Sequence, residues 1–295
     1  MLKSNYLILV SIVLICFIAR IEAAKTKTWR FNNWNKFGTA TVGRGSNWDK
    51  AWGIPKHSGW LWNWKGAEKL KNVLVKDPSG KTKNLHLRVV YPAGSRNPEA
   101  SPVGGLGIKA QPLVIDSNVK TVDLKYSVFF PKGFNFVKGG KLPGLFGGHG
   151  DCTGGTDSNK CFTTRIMWRD NGIGEVYAYL PSRQRAGLCD KKVNICNPDY
   201  GYSLGRGTFK FTTGRWVSVR QILTINTVGK KDGKLSLYID GKRAMHQTKL
   251  VFRTNSTGRV AGILFHTFFG GSSGSWKTPK TQYSYFKNFS LKTIS

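Results

Sequence analysis

Thr163-Thr164-Arg165-Ile166-Met167-Trp168-Arg169 and Glu175-Val176-Tyr177-Ala178-Tyr179-Leu180 flank the pentapeptide Asp170-Asn171-Gly172-Ile173-Gly174. Alternation within each flank has the two-residue period of a β-strand. Asn-Gly between two such runs supplies residues that tolerate positive φ, so the stretch reads as a β-hairpin. Residues two apart share a strand face. Thr163, Arg165, Met167 and Arg169 therefore lie on one face, and Tyr177 and Tyr179 share one face of the return strand. With 170–174 as a five-residue loop, Arg169 sits opposite Glu175, Met167 opposite Tyr177 and Arg165 opposite Tyr179. The polar side chains then gather on one face of the sheet. A two-residue loop at Asn171-Gly172 instead sets Arg165 opposite Ala178 and disperses them.

Strand signals continue to either side, at 85–91, at 121–130 (closed by Pro131), and at 215–226, 234–239, 260–269 and 283–291. Asp240-Gly241 marks another turn, 92–107 reads as loop, and 132–155 is a Gly- and Lys-rich stretch. Helical periodicity is scarce, while the chain has 35 Gly and abundant aromatics, which suits a sandwich of many short strands. Seven of the ten Trp fall in the N-terminal third, at 29, 34, 48, 52, 60, 62 and 64. Sugars stack on such rings, but core and interface packing is the simpler expectation. Trp60, Trp62 and Trp64 alternate, so one strand would show all three on one face. No Pro-, Ser- or charge-rich linker divides the chain, and no fixed-period repeat appears. Residues 24–295 read as one domain.

Residues 1–23 have the layout of a secretory signal peptide: a polar start with Lys3, an apolar run over 7–19, and small residues at Ala23 and Ala24. That run is shorter than the roughly 20 residues a bilayer requires, and no later run is longer. A secreted chain without a membrane span is expected. Cys16 falls inside the signal. The remaining four, Cys152, Cys161, Cys189 and Cys196, suit disulfides in an oxidising compartment. Of the three pairings, sequence spacing favours Cys152–Cys161 and Cys189–Cys196. A zinc site is the alternative, but no His stands at ligand spacing beside them.

The chain carries 46 Lys+Arg against 15 Asp+Glu, a formal +31, and loss of Lys3, Arg20 and Glu22 leaves about +30. Such a charge concentrates polyanions around a protein. The cations are spread along the chain with no long basic tail, which disfavours a nucleic-acid arm, and secretion disfavours it further. An acidic polysaccharide is the expected partner and a monomer the expected state. An Arg beside two Tyr on a sheet face suits β-elimination of a uronate polymer. A cation neutralises the carboxylate so that the adjacent carbon can ionise. A base takes the C5 proton and an acid protonates the departing oxygen. Tyr serves in either role where nearby cations lower its pKa from about 10. A structural Arg–Tyr stack is the alternative use of the same residues.

The stretch Lys138-Gly139-Gly140-Lys141-Leu142-Pro143-Gly144-Leu145-Phe146-Gly147-Gly148 resembles polysaccharide lyase family 14, which contains alginate lyases and glucuronan lyases. Phe162-Thr163-Thr164-Arg165-Ile166-Met167-Trp168-Arg169, Val176-Tyr177-Ala178-Tyr179, and Phe268-Phe269-Gly270-Gly271 with Trp276 continue the match in order. The resemblance spans about 126–289 and implies an all-β, concanavalin-like jelly roll of two antiparallel sheets. It also implies catalytic Lys141, Arg165, Tyr177 and Tyr179, with Lys141 and Arg165 meeting the carboxylate and the tyrosines acting as base and acid. Thr163 stands where the family usually has Ser, and it and His149 are candidate substrate contacts. His149 also suits an exposed, Gly-rich loop.

Three rivals stand beside this reading. A non-catalytic lectin-like module on the same fold would not need all four of these residues. A jelly-roll glycosidase needs paired carboxylates, and no Glu-x-Asp-x-Glu strand pattern is present. A secreted cationic protein binding nucleic acid or microbial surfaces shares the charge but forms no product. Elimination by Arg, Lys and Tyr needs no cofactor, and no metal-ligand spacing appears. Activity is therefore expected to survive chelator, and a loss restored by a divalent cation contradicts that reading.

Overall fold

Two β-sheets enclose one apolar layer between them. The computed structural model describes residues 26–32, 34–37, 42–43, 47–61, 70–148, 152, 158–197, 200–256 and 258–294. Residues 1–25, which include the expected signal peptide, lie outside the described residues, as do His149, Trp62 and Trp64. In chain order the strands are β1 (Thr28–Phe31), β2 (Val73–Lys76), β3 (Leu85–Tyr91), β4 (Leu106–Ala110), β5 (Thr121–Phe129), β6 (Gly139–Gly148), β7 (Cys161–Arg169), β8 (Gly174–Tyr179), β9 (Ile195–Asn197), β10 (Gly201–Leu204), β11 (Trp216–Thr224), β12 (Gly233–Ile239), β13 (Lys242–Leu250), β14 (Val260–Phe269) and β15 (Gln282–Ile294).

One sheet has the order β13-β12-β11-β5-β15-β3-β2, with β1 also paired to β15. The other has the order β4-β14-β6-β7-β8-β10-β9. The pairings are antiparallel, so the fold is the expected all-β jelly roll of two packed sheets. Val122, Leu124, Tyr126 and Val128 of β5 share a core with Leu142 and Leu145 of β6 and with Ile166 and Trp168 of β7. Burial of this layer is the main stabilising term. Thr164 Oγ1 and Gln221 close a buried reciprocal pair across the layer, at 2.9 Å and 2.8 Å. Trp34, Trp52 and Trp60 are buried. Trp52 packs edge-on against Phe289 at 4.9 Å, so these rings serve the core. Trp60 makes an isolated bridge with Ile108 rather than opening a strand.

The hairpin differs from the expected pairing by two residues. Arg169 N–H donates to Ile173 O at 2.6 Å, which closes a three-residue loop over Asp170–Gly172. Asn171 and Gly172 hold φ of 55° and 77° there. Thr163 therefore faces Tyr179, Arg165 faces Tyr177 and Met167 faces Glu175. A shift of two preserves side-chain parity, so the shared polar face survives.

β6 lies in the Gly- and Lys-rich stretch, where Pro and glycines obscure the strand pattern. Its glycines make room for neighbouring rings. A Cβ on Gly140 would meet Trp168 Cζ2 at 2.1 Å, and one on Gly147 would meet the Phe162 ring at 2.5 Å. Pro143 sits at a register shift between Leu142 and Gly144, where an extra residue spares the sheet the missing N–H. Both expected disulfides are present, Cys152–Cys161 and Cys189–Cys196, with Cα atoms 5.6 Å and 5.8 Å apart. Among the described residues no helix is long and apolar enough to cross a membrane.

Gly140→Ala is expected to destabilise the fold by about 1–3 kcal/mol through overpacking, read as a lower urea midpoint at unchanged slope. Gly274→Ala, where a Cβ meets nothing within 4 Å, is expected to stay near neutral.

Candidate active site

β6, β7 and β8 are adjacent in the middle of their sheet, and their outward faces form the floor of a cleft of about 610 Å³. Lys141 comes from β6, Met167 and Arg169 from β7, and Tyr177 and Tyr179 from β8. Asn197 and Tyr200 stand on one side and Gly271 and Trp276 on another. Arg165 lies on the same face, 2% exposed, at the root of the cluster. The structure thus brings together all four residues singled out in the sequence.

Lys141 is 8% exposed. Its Nζ lies 3.9 Å from the centre of the Tyr177 ring and donates to Met167 Sδ at 3.0 Å, a cation–π arrangement. Burial holds its ammonium well below the usual lysine range, and Arg165 and Arg169 push the same way, while Glu175 opposes them. Arg165 Cζ lies 5.4 Å from the centre of the Tyr179 ring. The two tyrosine rings meet edge to face at 5.7 Å, and the Tyr177 hydroxyl donates to the Tyr200 carbonyl. Nearby cations do not bring the Tyr177 pKa below the usual phenol range. Burial raises it above the usual phenol range and Tyr179 adds to the rise, outweighing Arg169 and Arg165.

The family model Polysaccharide lyase 14 matches residues 79–289. The chain belongs to polysaccharide lyase family 14. Its structure resembles the marine PL-14 alginate lyase from Aplysia kurodai with a TM-score of 0.71 and 35% identity, over 87% of this chain and 98% of that one. The alginate lyase vAL-1 from Chlorella virus shares the fold with a TM-score of 0.63 and 24% identity, over 81% and 99% of the two chains. Alginate lyase Aly36B does so with a TM-score of 0.66 and 24% identity, over 90% and 97%. Among curated proteins, none matches the chain. The protein is a polysaccharide lyase.

Three further groups complete the lyase cleft. His266 on β14 is 4% exposed, and its Nδ1 lies 3.1 Å from Arg165 Nη1. Arginine only donates, so Nδ1 accepts and Nε2 carries the proton. Burial, followed by Arg165, Lys109 and Lys141, holds His266 well below the usual histidine range, and the ring is neutral. The sequence signal for it was slight, a single imidazole in the apolar run of β14. Glu175 and Arg206 form ion pairs in the floor; Glu175 was visible only as a hairpin position. Thr163 pairs with Tyr179 across the hairpin. It is fully buried, and its hydroxyl donates to the Cys152 carbonyl at 3.1 Å, which secures the disulfide-bearing segment beside Tyr179. Cys152 and Cys161 in turn pack against Tyr179. No group of three or more His, Cys, Asp or Glu that could hold a metal occurs among the described residues.

Glu175 is fully buried. Burial raises its pKa, but Arg169, Ser203 and Arg206 outweigh that and leave it lowered. Its folded-state value is below the unfolded one. Its contribution to stability is therefore present above the ordinary carboxylate range and is lost as pH falls through the folded value. Glu175→Gln is expected to cost about 3 kcal/mol at neutral pH by breaking a buried pair. It should also flatten the acid side of the stability–pH curve, measured by urea denaturation between neutral and acid pH.

Proposed function

We propose that the chain is a secreted lyase that cleaves a uronate polysaccharide by β-elimination, with alginate the first polymer to test. Residues 1–23 would direct export, and 24–295 would be the working domain. The observation that carries this is the convergence of Lys141, Arg165, Tyr177 and Tyr179 from three adjacent strands onto one face of the cleft floor. The 35% identity to an alginate lyase over most of both chains supports the choice of polymer. The basic composition suits a polyanionic substrate.

In this reading the uronate carboxylate sits against Lys141 and Arg165. Neutralising it stabilises the carbanion-like charge that develops as C5 loses its proton. A base removes that proton and the electron pair forms the C4–C5 double bond. The C4–O bond breaks, and an acid protonates the departing oxygen. Burial keeps Tyr177 protonated, which suits it to the acid role and leaves Tyr179 as the base. His266 accepts from Arg165 and holds its guanidinium in place. The arriving carboxylate would add to the partial counter-charge that Glu175 already gives Lys141.

The purified protein is mixed with poly-mannuronate, poly-guluronate, poly-glucuronate and hyaluronan while ultraviolet absorbance of unsaturated ends is followed. Absorbance should rise on one polymer, and Tyr179→Phe should lower the rate by at least about 100-fold, the usual reach of acid–base catalysis. The wild-type rate should climb from neutral to mildly alkaline pH, because the base must ionise; an acid optimum rules out a tyrosine base. Salt-sensitive binding without absorbance change on any polymer would assign the cleft to a binding module.

A further inference from the structure

The cleft floor holds a second group of charges, built separately from the four residues above. Glu175 is fully buried between two arginines. Arg169 donates Nε and Nη2 to its Oε1 at 2.9 Å and 2.6 Å. Arg206 donates Nε to Oε2 at 2.6 Å, and the Ser203 hydroxyl donates to the same oxygen at 2.6 Å. The anion side chain has 0% exposure, whereas Arg169 and Arg206 keep 18% and 33%. Both arginines line the cleft.

The exposure is one-sided. Two cations share one anion, and only the cations reach the cleft. Arg169 Nη1 and both Nη atoms of Arg206 make no hydrogen bond among the described residues, so each arginine still has N–H groups to donate. A planar guanidinium held at one edge and open at the other is well suited to a carboxylate.

The position fits a neighbouring sugar. Arg165, Met167 and Arg169 occupy one face of β7 at two-residue steps, which sets the Arg165 and Arg169 Cα atoms about 13 Å apart. That is longer than one sugar ring. Yet Arg169 Cζ lies 5.6 Å from the centre of the Tyr177 ring that Lys141 covers, so the two anion-binding groups adjoin. We propose that Arg169 and Arg206, clamped by Glu175, form a second carboxylate-binding subsite that holds the sugar next to the one undergoing elimination. The proposal rests on the lyase reading for what occupies the cleft. It makes the enzyme selective for runs of consecutive uronates, because a neutral neighbour offers no carboxylate to the open edges of two guanidinium groups that share the single charge of Glu175.

Two readouts test it in the full-length enzyme. Arg206→Gln should raise KM for the uronate polymer about tenfold, with kcat the lesser-affected constant, and Arg206→Lys should recover only part of the loss because it lacks the fork. In Tyr179→Phe protein, where the clamp is intact, a uronate tetrasaccharide should shift the Nε–H resonances of Arg169 and Arg206, and its carboxyl-reduced counterpart should not. The second readout decides the matter if Arg206→Gln fails to fold. Normal elimination with unchanged KM in the variant, or equal shifts from both oligosaccharides, overturns the subsite and leaves the lyase reading intact. Absence of unsaturated ends with the wild-type enzyme overturns the lyase reading itself, and is checked first.

Discussion

Lys141 and Leu145 are four residues apart in one strand, a spacing that puts both on the same face of a regular β-ribbon. They do not share a face. Leu145 packs in the core with Leu142, while Lys141 lies in the cleft floor. Pro143 makes the difference by adding one residue to β6 at the register shift beside β7, and its carbonyl is held by the Tyr126 hydroxyl at 3.0 Å. Without that extra residue, either the lysine enters the core or the leucine leaves it. Burying an unpaired ammonium in an apolar layer is far more costly than losing one leucine, so the bulge sets the parity on which the cleft depends.

The floor built on that parity concentrates cations where burial disfavours them. Lys141 is kept from water by the Tyr177 ring and the Met167 sulfur, and Arg165 and Arg169 disfavour its charge further. Glu175 relieves part of this strain from beneath, and the neutral His266 accepts from Arg165 without adding charge. In the proposed reaction, a carboxylate arriving from solvent would meet an environment already arranged for it, with little reorganisation left at the moment of reaction.

The sequence revealed the fold where alternation was undisturbed. The strands at 85–91, 121–130, 215–226 and 260–269 correspond to β3, β5, β11 and β14 with shifts of a residue or two. The cluster of Arg165, Tyr177 and Tyr179 was legible because parity survives a register error of two, even though the expected cross-strand partners were wrong. β6 was not legible as a strand, since its glycines answer to the rings of Trp168 and Phe162, residues distant in sequence. β13 follows its turn with a charged, exposed run and lacks the apolar beat. Arg206 and His266 reach the site through pairings that no local pattern encodes. The Tyr177 pKa also went against the sequence expectation, because the depth of burial depends on the walls and not on the hairpin.

The crowded glycines of β6 bear on inheritance. A position where even a methyl group collides with a neighbouring ring accepts almost no replacement, whatever the enzyme is selected to cut. Exposed loops around the cleft are under no such restriction and can drift toward new polymers. A lineage built on this scaffold would therefore keep a nearly fixed text along one central strand while its rim diversifies. The stretch that best announces kinship is then written largely by steric exclusion, with a single catalytic candidate, Lys141, embedded in it.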